Sequence, residues 1–253
     1  MTGRIGFDRV GAVAVITLDN SRIKNALTQQ MAHDLGAVCE QIDADPSIGC
    51  TVIQGAGGTF CSGADTSTWA DTYGDDPLSD EAYADTDEMY GSFVRFGELK
   101  APTIAAVRGA AVGAGLNLAL AADLRVVSED ARLLAGFLKA GIHPGGGFFT
   151  LVRRLAGREA ASLLGLFSQE VSGLEAKAFG LAGVCVPDED TEKTALEIAQ
   201  MVARDPLIAR RAKRSFNLET QSVPLPWAAA LEVERGVQLW TQARRLKQKQ
   251  AQS

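Results

Sequence analysis

Apolar residues near the N-terminus follow a strand pattern first and a helix pattern afterwards. Apolar and β-branched residues cluster over residues 5–9 and 12–18 around Gly11, which predicts a β-hairpin. Over residues 29–43 the apolar positions recur at steps of three and four, which predicts a helix with one buried face, and Thr28 precedes it as a capping residue. The chain therefore begins with two strands and an amphipathic helix.

The next apolar segments alternate between strand-like and helix-like patterns. Residues 51–53 and 103–107 are apolar and β-branched, and they predict buried strands. A glycine-rich turn at residues 109–115, a compact helix at 116–122 and a third strand at 124–127 follow. Because parallel neighbours need a crossover element between them, this alternation predicts an α/β core with parallel strands.

Two longer regions carry other patterns. Residues 66–89 are crowded with aspartate and glutamate, which cannot be buried together, so the segment predicts a mobile or amphipathic cover. The chain after Pro144 has a mainly helical pattern, and no linker divides the sequence into separate domains. The predicted helices span residues 156–167, 172–179, 191–203, 206–218 and 226–247.

Composition bounds the size and the partners of the protein. Hydrophobic residues make up 46% of the 253 residues, enough for one large domain or two small ones. The net charge of -6 argues against a nucleic-acid surface as the main purpose. A basic cluster within residues 210–214 is the local exception, and we interpret it as a solvated helix face. We expect no nucleic-acid partner.

The cysteines and the longest apolar run indicate the cellular location of the protein. The four cysteines form no Cys-x-x-Cys pair, and with only two histidines they predict neither a disulfide framework nor a metal site. The first residues are charged where a signal peptide needs an apolar stretch, and the apolar run at 109–122 is too short to span a bilayer. We expect a soluble cytoplasmic protein with no membrane partner.

Two glycine-rich segments, residues 55–65 and 108–123, are the candidates for chemistry. A glycine turn between a strand and a helix lets backbone N–H groups face a ligand, and the helix dipole favours negative charge there. The spacing of the second segment also matches a short-chain dehydrogenase, but no tyrosine of the chain has the lysine four residues on that such an enzyme needs. Ser62 lacks the Gly-x-Ser-x-Gly frame of a hydrolase.

Four segments together carry a family resemblance. They are DNSRIKNAL at 19–27, TVIQGAGGTFCSGAD at 51–65, residues 102–127, and PLIARRAKRSFN at 206–217. In this order and spacing they resemble the enoyl-CoA hydratase/isomerase family, or crotonase superfamily, over nearly the whole chain. The resemblance implies an α/β fold, a crotonase-like spiral of ββα units with a helical C-terminal region. We place the spiral core at 1–200 and the helical oligomerisation region at 201–253, within one continuous unit.

The resemblance also implies a substrate and a site. Members act on acyl-coenzyme A thioesters, with coenzyme A as part of the substrate and no separate cofactor, and they assemble as homotrimers or dimers of trimers. By position, the backbone N–H groups of Ala64 and Ala114 form an oxyanion hole, which stabilises an enolate. The residues expected to bind substrate or coenzyme A are Lys24, Ala26, Ala64, Asp65, Thr66, Ala114 and Phe137. Lys24 is alternatively an ordinary surface lysine, and we expect Asp65 and Asp123 to cap helices or fix turns.

The usual carboxylates are absent from this sequence. The two glutamates that the hydratases use fall on Asn117 and Phe137, and the aspartate of some isomerases, after the loop proline, falls on Gly145. An amide cannot take a proton near neutral pH, so Asn117 can only hold a water or a substrate oxygen. His143 is the imidazole of this loop, and we consider it as a base or as a histidine bonded to backbone.

Other sources of an acid or of an apolar wall are open at this point. The acidic segment offers Asp71, Asp75 and Glu88 as groups that could reach inward. Phe137, with Trp69, Phe148 and Phe149 as neighbours, is expected to make the acyl pocket more apolar.

Three functions follow from these observations. The first is an enzyme that stabilises the enolate of an acyl-CoA. The alternative is a non-catalytic acyl-CoA binding or carrier protein that retains the hole without the chemistry. The third is an RNA-interacting member that uses the basic residues at 210–214, which the acidic balance of the chain disfavours.

Overall fold

The computed structural model describes residues 3–68, 76–220 and 226–251. It opens on the predicted hairpin, in which strand β1 (Arg4–Val10) pairs antiparallel with β2 (Val13–Asp19). Helix α1 (Gln29–Ala44) follows, and the Thr28 hydroxyl caps it by accepting a hydrogen bond from the Met31 N–H at 3.2 Å. The apolar face of α1 lies in the core, as its period predicted.

A six-stranded sheet forms the centre of the fold. Its order is β1-β2-β3-β4-β6-β9, with β3 at Cys50–Gly55, β4 at Thr103–Val107, β6 at Leu124–Ser128 and β9 at Val184–Val186. Every pairing after the first hairpin is parallel. Both faces of β4 are buried, which explains why its sequence is continuously apolar and β-branched.

A small second sheet stands beside the first. It contains β5 (Ala110–Val112), β7 (Arg132–Leu134) and β8 (Glu170–Ser172), in the order β5-β7-β8. The chain thus places β4 in the large sheet and β5 in the small one before helix α3 (Ala114–Ala121), and β6 and β7 repeat the two steps. These repeated ββα units are the spiral that the resemblance implied.

The remaining helices cover the sheets. Helix α2 (Asp80–Gly97) packs on α1, and the helical C-terminal region ends the chain. The others are α4 (Phe148–Ala161), α5 (Gly173–Phe179), α6 (Thr191–Val202), α7 (Pro206–Thr220) and α8 (Trp227–Gln250). Within the described residues, no helix is both long and apolar enough to cross a lipid bilayer.

Several predicted boundaries were wrong. The expected turn at 109–115 contains strand β5, because these residues pair with β7 instead of looping freely. Helix α4 begins at Phe148, which was not expected, but Gly157 interrupts it with a φ of 77° and a ψ of −174°. The helix expected at 156–167 corresponds to the part after this break, and it ends in a π-helical turn at Ser162–Leu166. For the acidic segment, the amphipathic alternative of the prediction is confirmed from Asp80 onward, but helix α2 continues beyond the expected end to Gly97.

The basic cluster on α7 is also not simply a solvated face. The Arg210 guanidinium donates to the backbone carbonyls of Ile42 and Asp45 at 2.9 and 2.7 Å, at the C-terminal end of α1. Lys213 is 4% exposed and forms an ion pair with Asp123 at 2.9 Å. These two side chains join α7 to the core, whereas Arg211 and Arg214 are exposed.

Candidate active site

The two glycine-rich loops are hydrogen-bonded side by side. The Cys61 N–H donates to the Ala110 carbonyl at 2.9 Å, and the Val112 N–H donates to the Cys61 carbonyl at 3.0 Å. A Cβ on Gly115 would lie 2.5 Å from the Cys61 carbonyl oxygen, so only glycine allows this approach. Burial raises the pKa of the Cys61 thiol to about 12, which leaves it a packing residue and not a nucleophile.

Asn25 holds the first glycine-rich loop in place through side-chain hydrogen bonds, a role that sequence reasoning did not assign to it. Its buried amide donates to the Ala56 and Thr59 carbonyls at 2.8 and 2.6 Å, and its Oδ1 accepts from the Asn20 N–H at 2.9 Å. Its φ of 57° is a left-handed conformation that asparagine tolerates better than most residues. An asparagine within the 19–27 motif was therefore the one sequence feature that could have indicated this role.

Ala64 and Ala114 lie where the loops end. Ala114 is the first residue of α3, so its N–H has no acceptor inside the helix. Within the described ranges, neither the Ala64 N–H nor the Ala114 N–H makes a backbone hydrogen bond. On either side of Ala64, the Leu27 N–H donates to the Gly63 carbonyl and the Asp65 N–H donates to the Leu27 carbonyl. Both residues line one cavity. Two backbone donors without a backbone acceptor among the described residues therefore lie at its wall.

The cavity encloses about 170 Å³ between the loops, α2, α3 and α8. Its wall is mixed, with an apolar part and a row of amide, hydroxyl and carboxyl groups. The wall comprises Leu27, Gln29, Ser62, Gly63, Ala64, Asp65, Thr66, Asp85, Thr86, Met89, Tyr90, Val112, Gly113, Ala114, Asn117, Ala135, Gly136, Phe137, Ala140, Ile142, Gln238 and Gln242. The parts of the chain that the structure describes hold no group of three or more His, Cys, Asp or Glu placed for a metal ion.

Asn117 and Phe137, which the sequence resemblance assigned to the two glutamate positions, both line this cavity. The Asn117 side-chain amide donates to the Gly145 carbonyl at 2.7 Å, while its buried Oδ1 has no partner among the described residues. Phe137 packs edge-on against Phe148, with ring centroids 5.6 Å apart, and Phe148 in turn contacts Phe149. The phenylalanine neighbours agree with the sequence prediction, and Trp69 lies outside the described residues.

His143 lies beside the cavity, not in its described wall. Its Nδ1 is 2.7 Å from the Pro144 carbonyl oxygen, and its neighbour Ile142 faces the cavity instead. This geometry matches the interpretation of His143 as a loop histidine bonded to backbone.

The segment expected to contact coenzyme A lies against the first loop. Lys24 is exposed, and its backbone carbonyl accepts from the Ser62 N–H at 2.9 Å. Ala26 is buried beside it, and neither residue lines the described cavity. Lys24 has a φ of 55°, so its side chain leaves a tight turn next to the loop that ends at Ala64.

Asp65 and Asp123, the aspartates that end the two glycine-rich segments, make hydrogen bonds that stabilise local structure, as expected. Asp65 lines the cavity next to Thr66, and its Oδ1 accepts from the Ser67 N–H and hydroxyl at 3.0 and 2.6 Å. Asp123 accepts from the Thr103 N–H at 2.8 Å, besides its ion pair with Lys213. Both carboxylates are thus engaged by turns or neighbouring strands.

The acidic segment contributes a residue that the sequence analysis did not single out. Glu88, one of the three proposed, bonds His33 at 2.8 Å and Gln29 at 2.9 Å on the outer side of α2. Asp85 lines the cavity instead. Asp71 and Asp75, the other two proposed residues, lie outside the described residues. The helical period of α2 decides which acid faces inward, and that helix was not predicted.

Helix α8 supplies polar groups that sequence reasoning missed. Gln238 and Gln242 are 8% and 4% exposed, and both line the cavity one helical turn apart. Near them, a Cβ on Gly145 would lie 2.2 Å from both the Gln238 Nε2 and the Tyr90 hydroxyl. A glutamine pair on an otherwise unassigned helix carries no recognisable signal, because only packing brings it to the site.

The crowding at Gly145 predicts that a larger residue is poorly tolerated there, including the aspartate that the resemblance implies for some isomerases. Gly145→Asp is expected to destabilise the protein by about 1 to 3 kcal/mol, as overpacked cores do, and to leave acyl-CoA turnover no faster. Urea unfolding and turnover assays measure both effects. Gln238→Ala in the same chain should recover part of the stability, because it removes one of the two clashing groups. Faster turnover by Gly145→Asp alone would contradict this geometry.

The stacked ββα units and the paired glycine loops define a protein of the crotonase fold. The enoyl-CoA hydratase/isomerase family model matches residues 8–251. A probable enoyl-CoA hydratase from Mycobacterium tuberculosis is 39% identical over 194 residues, 77% of this chain and 73% of that protein. The 1,2-epoxyphenylacetyl-CoA isomerase of Escherichia coli is 32% identical over 77% of this chain and 74% of that protein.

Solved structures agree with the sequence relatives. An enoyl-CoA hydratase/isomerase from Xanthobacter autotrophicus superposes with a TM-score of 0.83 and 29% identity, over 94% of this chain and 87% of that one. The chain belongs to the enoyl-CoA hydratase/isomerase family, and it is a hydratase/isomerase-like enzyme.

Proposed function

We propose that this enzyme binds an acyl-CoA thioester in the described cavity and stabilises the enolate of its acyl group through the N–H groups of Ala64 and Ala114. One observation carries the proposal: two backbone donors line the same cavity, and neither has a backbone acceptor in the part of the chain that the structure describes. Removal of a proton next to a thioester carbonyl places negative charge on the carbonyl oxygen. Preorganised donors stabilise such charge by several kcal/mol because they need not reorient.

Helix α3 adds to this stabilisation. Its N-terminus begins at Ala114, so its dipole places partial positive charge at the proposed position of the thioester oxygen. The hydrogen bonds between Cys61 and the β5 strand hold both donors at fixed separation, which favours the charged intermediate over the neutral substrate. The support comes from rigid backbone and not from a charged side chain.

We propose that the reaction is not hydration by the usual pair of glutamates. Asn117 cannot accept a proton, and its amide already bonds the Gly145 carbonyl. Phe137 packs into the aromatic cluster at the second position. The unpartnered Oδ1 of Asn117 is suited to accept a hydrogen bond from a water or a substrate hydroxyl. Isomerisation or another enolate reaction fits these residues better.

The proposal extends to the coenzyme and the assembly. We place the coenzyme part of the substrate along Lys24 and Ala26, with Asp65 and Thr66 at the entrance to the acyl cavity, and we propose that no further cofactor takes part. Leu207 and Ile208 of α7 are 61% and 64% exposed, which favours burial between subunits of a trimer or a dimer of trimers. A cytoplasmic location remains part of the proposal.

A panel of saturated and unsaturated acyl-CoA esters tests the function. Calorimetry is expected to detect binding of at least one ester, and mass spectrometry is expected to detect its conversion. Tight binding without any conversion would favour the carrier protein instead, and absence of binding across short and long chains would refute both. Asn117→Glu is expected to rescue little hydration, because Phe137 leaves the second glutamate position without an acid.

A further inference from the structure

We propose that the Asp85 carboxylate is the catalytic group that removes and returns the proton at the acyl α-carbon, an inference that rests on the enolate chemistry proposed above. The glutamate positions of the family hold Asn117 and Phe137, so the proton must be handled by another residue. The geometry points to helix α2, which contributes Asp85 and three further residues to the wall of the cavity.

The placement of Asp85 follows from the period of α2. Asp85 and Met89 are four residues apart and share one face, and both line the cavity with Thr86 and Tyr90. The neighbouring acids Glu81 and Glu88 are exposed. The Gln29 amide donates to the Asp85 backbone carbonyl at 2.7 Å and to the Glu88 carboxylate at 2.9 Å. This contact fixes the turn of α2 that carries Asp85.

Elimination among the described wall residues leads to the same carboxylate. The only groups of the described wall with an ionisable side chain are Asp65, Asp85 and Tyr90. Asp65 already accepts two hydrogen bonds from Ser67. Tyr90 carries a phenol, which donates and accepts hydrogen bonds but is not a carboxylate. The Asp85 carboxylate has no hydrogen-bond partner among the described residues, so it is available to a ligand.

The electrostatic surroundings suit a base. Burial raises the pKa of Asp85, and the negative charges of Glu81 and Glu88 on the same helix raise it further. His33 of α1 pairs with Glu88, and Asp65 lies in the wall of the same cavity. A carboxylate with a raised pKa is a stronger base than an exposed aspartate.

The step balances without another reactant. An Asp85 oxygen takes the proton from the α-carbon, and the electron pair of the broken C–H bond forms the double bond of the enolate. The thioester oxygen becomes negative and accepts hydrogen bonds from the Ala64 and Ala114 N–H groups. Return of the proton to the same carbon restores the substrate, whereas return to a conjugated carbon yields the isomer.

Exchange of α-hydrogens with deuterium oxide tests this role directly. Butyryl-CoA and phenylacetyl-CoA are incubated with the enzyme, and mass spectrometry follows deuterium uptake. Wild-type enzyme is expected to catalyse exchange, and Asp85→Asn is expected to slow it about 10²- to 10⁴-fold with the dissociation constant little changed. Asp80→Asn is the matched control, since it makes the same change at an exposed carboxylate of α2 whose charge does not act on Asp85, and it should retain the rate.

A second variant covers the case in which Asp85→Asn does not fold. Asp85→Ala should recover exchange when formate is added, since formate can occupy the space of the missing carboxylate, and a purely structural role predicts no such recovery. Undiminished exchange in folded Asp85→Asn would overturn the assignment of Asp85 and leave the enolate proposal standing. Binding without exchange in the wild type would overturn both, and no binding would refute the proposed function itself.

Discussion

Ala114→Pro is expected to lower the rate of acyl-CoA turnover or α-hydrogen exchange by about 10²- to 10³-fold, the cost of one oxyanion donor. Proline lacks the N–H and otherwise suits the first position of a helix, where its fixed φ is already helical. Ala114 occupies that position, and the first helical bond, from the Asn117 N–H to the Gly113 carbonyl, stays intact. The substitution thus removes a donor and little else.

The residue before the proline favours the same experiment. Gly113 has a φ of 52° and a ψ of −116°, the mirror image of an extended conformation, which a glycine before proline can keep. Ala114→Gly is the matched control, because it removes the methyl group and retains the N–H. Circular dichroism and calorimetry check the fold and binding of both variants. Equal rates for the two variants would show that the Ala114 N–H does not stabilise the enolate.

Lys213→Ala is expected to lower the free energy of unfolding by about 3 kcal/mol, the lower part of the range for a broken buried ion pair. The Lys213 side chain is 2% exposed, and its ammonium lies 2.9 Å from the Asp123 carboxylate. It also donates to the Gly97 carbonyl at 3.1 Å. The substitution leaves a partly buried carboxylate uncompensated and a carbonyl without its donor. Urea unfolding measures the loss.

Two variants separate the charge from other effects. Arg211→Ala removes an exposed cation from the same helix and should change stability by less than about 0.5 kcal/mol, as surface substitutions usually do. Lys213→Met retains most of the stem, so a similar loss in that variant would assign the effect to the ion pair. If Lys213→Ala were as stable as Arg211→Ala, the conclusion that the Lys213–Asp123 ion pair stabilises the packing of α7 on the core would be wrong.

The strands and the first helix were predictable because their patterns are local. Residues that alternate or recur every three to four positions declare which face is buried, as in α1. The boundaries of β5, α2 and α4 were not predictable in this way. Strand β5 exists because it pairs with β7, and α2 is stabilised by an apolar face that eight acidic residues nearby obscure. The local period of a sequence does not show which distant segments pair or pack together.

The candidate site divides along the same line. The sequence by itself determined the glycine-rich loops and the family, since these depend on residue types at short, fixed spacings. Only the tertiary structure placed Asp85, Gln238 and Gln242 in the wall with Ala64 and Ala114, and left His143 beside it. Residues this far apart in the chain meet through the packing of α2 and α8 on the core. The orientation of each helix, and not its composition, decides which side chain faces the substrate.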